Sequence, residues 1–259
     1  MTVFEFMRKV DGPLFQTEGT VDNFKYGDIE RPVKKVATCL TATPEVIKAA
    51  RAFGADLIIT HEPTYYEHDD TIYPGEIVEL KKALVEECGI PICRYHDHMH
   101  FGKDCDLISK AFLDAVKWEG EFNGEEGFVL KEAKTPLEIA KEVQDVLGLR
   151  HVRIVGAREG KVTKIGLFLG HRGQEFWGDF KRNRTYELAI GGEWCEWHDG
   201  EMIRDAAQFG KQLTAVMLGH AGSERIGMKA LADNINRDYS AEGIEAKYFE
   251  CGELYTYLD

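Results

Sequence analysis

Short β-branched runs alternating with capped helical segments constrain this 259-residue chain more than any other feature. The runs at residues 36–40, 57–60, 92–95, 151–155, 164–169, 186–190 and 213–218 read as buried strands. Helix punctuation lies between several of them. Thr43-Pro44 opens a segment, 44–53, that closes at Gly54, and Thr135-Pro136 opens another, 136–147, that closes at Gly148. Further helical patterns run over 76–88, 200–209 and 224–237. Strand then helix, repeated, predicts an α/β architecture with largely parallel pairing. The Gly- and Glu-rich stretch 118–127 is the best boundary, dividing the chain into α/β halves at 1–120 and 121–259.

Composition narrows the function classes. The chain is 44% hydrophobic and 30% charged, which is ordinary for a globular protein long enough to bury a core without covalent staples. Its six cysteines (Cys39, Cys88, Cys93, Cys105, Cys195, Cys251) include no Cys-x-x-Cys pair, so reduced thiols in a cytoplasmic protein are expected. Glu5, Arg8, Lys9 and Asp11 interrupt the N-terminus, which lacks the features of a secretory signal. No apolar run approaches the ~18 residues of a membrane helix. A net charge of −13 would repel phosphate backbones, which disfavours nucleic acid as a partner, and solubility is the simplest reason for it.

Open α/β sheets take their ligands just beyond the carboxyl ends of the strands. His61-Glu62-Pro63 follows the run 57–60, and His96-Asp97-His98-Met99-His100 follows 92–95. Gly191-Gly192-Glu193 follows 186–190, and Gly219-His220-Ala221-Gly222-Ser223-Glu224 follows 213–218. Each segment has a bland alternative. His61-Glu62 could be a capped turn, and the three histidines of the second segment would share one face of a continued strand. Glu224 sits where a helix dipole favours a carboxylate, and Glu193 could be a plain loop residue. Against this, three imidazoles within five residues must find partners for six ring nitrogens, and neutral imidazole is the commonest side-chain metal ligand. Mixed imidazole and carboxylate donors suit zinc, iron, manganese or nickel better than calcium or magnesium. Six such donors exceed one tetrahedral ion and suit two divalent ions ~3.5–4 Å apart, with Glu62 or Glu224 able to bridge.

These segments, in this order, resemble the Nif-three-like dinuclear metal-centre proteins, some of which are labelled type-two homologues of GTP cyclohydrolase I. Val21-Asp22-Asn23 with Gly27-Asp28 is similar to the family's early Trp-Asp-Asn…Gly segment, without the tryptophan. The residues 40–46 (LTATPEV), 54–63 (GADLIITHEP), Ile190-Gly191-Gly192-Glu193 and the pair His220 and Glu224 match its later signatures. About residues 119–160 there is little specific likeness. The resemblance implies metal ligation by His61, His96, His220 and Glu224, which match in type. It also implies ligation by Glu62 and His100, which depart from it: the family has histidine and aspartate there. Four histidines and two carboxylates result either way.

The resemblance further implies two interlocked α/β domains with mixed, largely parallel sheets sandwiched by helices. The last strand and helix would pack on the first half, and the metal site would lie at strand C-terminal ends between the domains. A ring-shaped homohexamer is implied as well. The expected activity is that of a metal-dependent hydrolase or cyclohydrolase working through a metal-bound hydroxide on a small, nucleotide-like molecule. His98 and Glu193 are the candidates for proton transfer. The alternative is a non-catalytic metal-binding scaffold or metal carrier, favoured by the lack of an obvious nucleophile or phosphate-binding glycine loop. Amidohydrolase and metallo-β-lactamase patterns fit worse, the latter requiring aspartate where Met99 stands.

Overall fold

The computed structural model describes residues 1–12, 15, 17–101, 105–122, 127–171 and 186–258. In chain order it forms α1 (Val3–Asp11), β1 (Phe24–Tyr26), β2 (Lys35–Cys39), α2 (Pro44–Phe53), β3 (Leu57–Thr60), α3 (Glu76–Cys88), β4 (Ile92–Arg94), α4 (Asp97–His100) and α5 (Leu107–Val116). There follow β5 (Gly120–Phe122), β6 (Gly127–Lys134), α6 (Pro136–Leu147), β7 (Arg153–Gly156), β8 (Val162–His171) and β9 (Leu188–Glu193). The last elements are α7 (Glu201–Gln208), β10 (Thr214–Met217), α8 (His220–Tyr239) and β11 (Glu245–Tyr248). The class is α/β, with two mixed sheets flanked by helices. Among the described residues no helix is long and apolar enough to cross a membrane.

Two compact units share the chain. One comprises Met1–Leu107 with Gly227–Asp259, and the other Ile108–Ile226. Within the 118–127 stretch, residues 123–126 lie outside the described residues, and its flanks belong to β5 and β6.

The sheet of the first unit has the order β1-β4-β3-β2-β11, parallel throughout except for β1 against β4. All four residues of β3 are buried, which is why its sequence is a continuous apolar run rather than an alternation. Ala37, Cys39, Ile58 and Ile92 pack beneath Val46, Ile47 and Ala50 of α2 and Val85 of α3. Thr38, one residue out of phase, faces the opposite side and donates its hydroxyl to the Met228 carbonyl of α8. Local chemistry fixes the helix ends. Thr43 caps α2 by accepting from the Val46 N–H, Pro44 supplies the first turn, and Gly54 closes it in the left-handed region. In α1, Thr2 and Glu5 form a reciprocal capping box.

The second unit has a sheet of order β5-β6-β8-β9-β10-β7. Its centre, β8-β9-β10, is parallel, and its outer strands pair antiparallel. Ile203 of α7 packs with Phe168, Ala189, Ala215, Met217 and Trp194. A second capping box, Thr135 with Glu138, starts α6 ahead of its buried stripe Ile139, Ala140 and Val143.

One alternative falls away and one expected element differs. The segment after β4 is a short helical turn, not the continued strand of the bland alternative. The helix expected at 224–237 begins earlier, at His220, so His220 and Glu224 stand one turn apart in a single helix.

Candidate metal centre

Strand register brings the first histidines together. β2, β3 and β4 end level, with Cys39 paired to Thr60 and Thr60 to Arg94. Their exits are tied by backbone hydrogen bonds, Tyr95 N–H to the Thr60 carbonyl (2.9 Å) and His61 N–H to the Leu40 carbonyl (3.1 Å). His61 and His96 therefore leave adjacent strands side by side. After His96 the chain coils into α4, and a residue four positions on returns to the same face. The rings of His61, His96 and His100 lie with centroids 4.5, 5.2 and 5.1 Å apart. One ring nitrogen from each can be chosen so that all three lie within 4.8 Å of one another.

The three rings are wired alike. His61 Nδ1 lies 3.0 Å from the Tyr95 carbonyl, His96 Nδ1 2.9 Å from an Asp97 carboxylate oxygen, and His100 Nδ1 2.8 Å from Asp106. A carbonyl or carboxylate can only accept, so in the neutral ring each Nδ1 carries the proton and each Nε2 the lone pair. This is the arrangement of metal-ligating histidines, whose outward N–H is held by a carboxylate or carbonyl. Burial pushes the His96 imidazole down to about 3, with His61 adding to the effect and Asp97 opposing it. At neutral pH that ring is uncharged, as a ligand must be. Burial alone would raise the Asp97 carboxyl, yet hydrogen bonds from His96, Val21 and Thr20 hold it below its ordinary value.

Two buried aspartates hold the turn from below. Asp22 Oδ1 accepts from the backbone N–H groups of His96 (2.6 Å) and Asp97 (3.0 Å), and Oδ2 from that of His98 (2.8 Å). In a helical turn the residue two positions after His96 is rotated by ~200°, so His98 points away from its neighbours. Its Nδ1 lies 2.6 Å from Asp11 and 3.3 Å from Asp22. Asp11, Asp22 and His98 form a second, wholly buried group of potential donors. Glu62 follows His61 half-buried, its N–H bonded to the Leu40 carbonyl at 2.8 Å.

Arg94, fully buried at the end of β4, ties the 61–70 loop to this turn. Its Nε donates to the His61 carbonyl and Nη1 to the His68 carbonyl and the Asp70 carboxylate. Lys25 bonds the same Asp70 oxygen from the other side at 2.6 Å. Nη2 lies 3.3 Å from His68 Nδ1, and the His68 ring stands edge-on to His96 at 5.2 Å.

The second unit repeats the construction with its own residues. β9 and β10 run parallel with Met217 opposite Gly191, and the Gly219 N–H bonds the Gly192 carbonyl at 3.1 Å. Glu193 and His220 thus leave neighbouring strands. Glu193 Oε1 lies 2.6 Å from His220 Nδ1, and Glu224 Oε2 lies 3.0 Å from His220 Nε2. Glu224 is buried, and Gly170 makes room for it: a Cβ there would come within 2.0 Å of Glu224 Oε1. The Ser223 hydroxyl takes the Gly170 N–H (2.9 Å) and donates to the His220 carbonyl (2.8 Å), fixing the first turn of α8.

Within the first unit, then, His61, His96 and His100 gather with Glu62 beside them, while His98 is turned toward the aspartates. Within the second, His220, Glu224 and Glu193 gather. Sequence reasoning missed His68, Asp11, Asp106 and Gly170, and it overlooked Arg94, whose charge inside an apolar strand run (Ile92-Cys93-Arg94-Tyr95) required buried partners.

Comparison with known proteins places these residues in context. The family model Duf34/NIF3 (NGG1p interacting factor 3) matches residues 21–251. A "GTP cyclohydrolase 1 type 2 homolog" of Clostridium perfringens is 28% identical over 207 residues, 76% of each chain. One of the same name from Haemophilus influenzae is 24% identical over 213 residues, covering 80% of this chain and 81% of that one. Among solved structures, a Bacillus cereus protein related to NIF3 superposes with a TM-score of 0.78 at 14% identity, over 100% of this chain and 99% of that one. Reduced HcgD from Methanocaldococcus jannaschii gives 0.73 at 17% identity, over 96% and 97%. At such identities the structural likeness speaks to fold alone.

Proposed function

This chain belongs to the Duf34/NIF3 family, and from that membership and its imidazole wiring we propose that it is a dinuclear metal-binding hydrolase or cyclohydrolase. The ligands are His61, Glu62, His96, His100, His220 and Glu224. One observation carries the reading: three imidazoles each give their Nδ1 proton to a fixed acceptor and so hold their Nε2 lone pairs for a cation. His220 differs in having a carboxylate at each nitrogen, Glu193 at Nδ1 and Glu224 at Nε2, so a cation held between His220 and Glu224 would take the place of the Nε2 proton. The donor set suits zinc, iron, manganese or nickel.

When bound, two such ions supply an acidified water and an electrophilic anchor for developing negative charge. The chain's own residues do the rest. Asp97, Asp106 and the Tyr95 carbonyl orient the ligand rings, and Arg94 anchors the loop that carries His61. Glu193 orients His220 and is the better placed of the two proton-transfer candidates, being exposed where His98 is buried against Asp11. The relatives' cyclohydrolase name supports a small nucleotide-like substrate, and the family resemblance supports assembly as a homohexamer.

The test is to strip the purified protein, reload it separately with zinc, manganese, iron and nickel, and count bound ions by elemental analysis and anomalous scattering. Each form is then assayed on nucleotides, GTP included, and on small esters. Two ions per chain on these six residues, with turnover in one reloaded form, is the expected result. One ion or none overturns the dinuclear reading, and two ions without turnover in any form overturns the enzymatic one.

A further inference from the structure

One imidazole near the cluster is wired in the opposite sense. His61, His96 and His100 each point Nδ1 at an acceptor, whereas His68 points Nδ1 at the buried Arg94 guanidinium, 3.3 Å away. A guanidinium has five N–H donors and no acceptor, so His68 Nδ1 must carry the lone pair. In the neutral ring the proton then sits on Nε2. A side chain in this tautomer cannot ligate a cation through Nε2, but it presents a fixed N–H donor there.

The surroundings hold this polarity in place. Arg94 is itself locked by the His61 and His68 carbonyls and by Asp70, and Asp70 is shared with Lys25. The His68 ring is exposed, yet it stands edge-on to His96, one of the three clustered imidazoles. It therefore offers a donor to solvent right beside a group of acceptors.

We propose that His68 is a substrate-binding residue that donates an Nε2–H hydrogen bond to an oxyanion, a phosphate or carboxylate oxygen, of a molecule held at the histidine cluster. The proposal rests on the metal-binding reading for its setting, while the tautomer of His68 stands independently of it. Arg94 is the positioning residue, acting through His68 Nδ1 and never touching the ligand.

Long-range proton–nitrogen correlation spectra of metal-free protein labelled in histidine test the tautomer directly. The expected pattern is Nε2 protonated and Nδ1 bare for His68, and the reverse for His61, His96 and His100. A protonated Nδ1 at His68 overturns the proposal. If instead the protein takes up no metal at all, the metal reading fails and the His68 tautomer is still measured. Binding is tested by calorimetric titration of inorganic phosphate and of acetate into the zinc-reloaded protein. His68→Ala should weaken the tighter-bound anion about ten- to a hundredfold, the worth of one hydrogen bond to a charged group, with metal content unchanged. His68→Gln, which keeps an N–H donor at similar reach, should recover part of the loss. Unchanged anion affinity in His68→Ala overturns the proposal, as does a fall in bound metal, which would make His68 a ligand.

Discussion

Asp22→Asn is the sharpest perturbation of the His96–His100 turn, because it alters one charge and almost no volume. The native carboxylate is fully buried and takes three backbone N–H groups, those of His96, Asp97 and His98. An amide offers only one oxygen. Placed at Oδ1 it keeps two of the bonds, without their charge assistance, and turns an NH2 group onto the His98 N–H, donor against donor. One charge-assisted bond lost outright and two weakened, at about 1.5–3 kcal/mol for a full one, give a loss of about 3 kcal/mol. The His98 ring also loses its 3.3 Å carboxylate neighbour. Because His96 and His100 ride on the same turn, metal affinity should fall with stability, by about ten- to a hundredfold, as for other groups that orient ligands. Urea unfolding of the stripped protein gives the first number, and competition with a chromophoric chelator gives the second. A variant within 0.5 kcal/mol of the parent, a margin small beside one such bond, would refute the cap. Lowered stability with unchanged affinity would refute its link to the ligands.

Three further outcomes follow from individual side chains. In metal-free protein, His96 is held near 3 against an ordinary 6.5, so below 6.5 the unfolded chain takes up a proton that the folded one refuses. Stability present above pH 6.5 should thus be lost as pH falls toward 3, by at most about 1.4 kcal/mol per unit, and His96→Gln should remove that part of the slope in urea titrations at pH 7 and 5.5. Lys81 is buried under the Tyr66 ring, and burial lowers it to about 8, so below pH 8 both folded and unfolded states are charged and the folded state bears the whole penalty. Lys81→Met should stabilise by about 2 kcal/mol at pH 7, with a gain that fades between pH 8 and 10.5, and an unchanged melting temperature would refute this. Gly170→Ala puts a methyl group against Glu224 at a backbone φ of +72°; it should cost about 1–2 kcal/mol and displace the carboxylate from His220, read as weakened metal binding in the same chelator competition.

The strand exits were legible because each candidate segment follows a short apolar run whose register is set by burial. Thr60 opposite Arg94 is enough to bring His61 beside His96. The conformation of residues 96–100 was not legible, since five residues carry too little periodicity to separate a strand edge from a helical turn. What decides it is Asp22, more than seventy residues earlier in the chain, pulling three N–H groups together. The early start of α8 was hidden for a similar reason: Ser223 satisfies the Gly170 N–H and the His220 carbonyl, and Gly170 lies on another strand. His68 had no local signal at all, because its tautomer is dictated by an arginine 26 residues away.

The two departures from the family pattern look different once the rings' outward partners are included. Replacing the family's aspartate by His100 removes a carboxylate from the expected ligand set, but Asp106 stands directly behind His100 at 2.8 Å. In the proposed ligand set, the carboxylate at this point stands one hydrogen bond back, behind the ring. Glu62, in place of the family's second histidine, adds a carboxylate beside His61. On the proposed dinuclear reading, the substitutions exchange which positions carry the anionic donors and leave the total at four histidines and two carboxylates. The net charge of −13 then has two parts. Most of it solvates the surface, whereas Asp11, Asp22, Asp97 and Asp106 are turned inward onto imidazoles and backbone N–H groups. Those aspartates fix ring orientation and proton position, and on the proposed reading it is the identity of the group at Nδ1 that would separate a ligating histidine from a donating one such as His68.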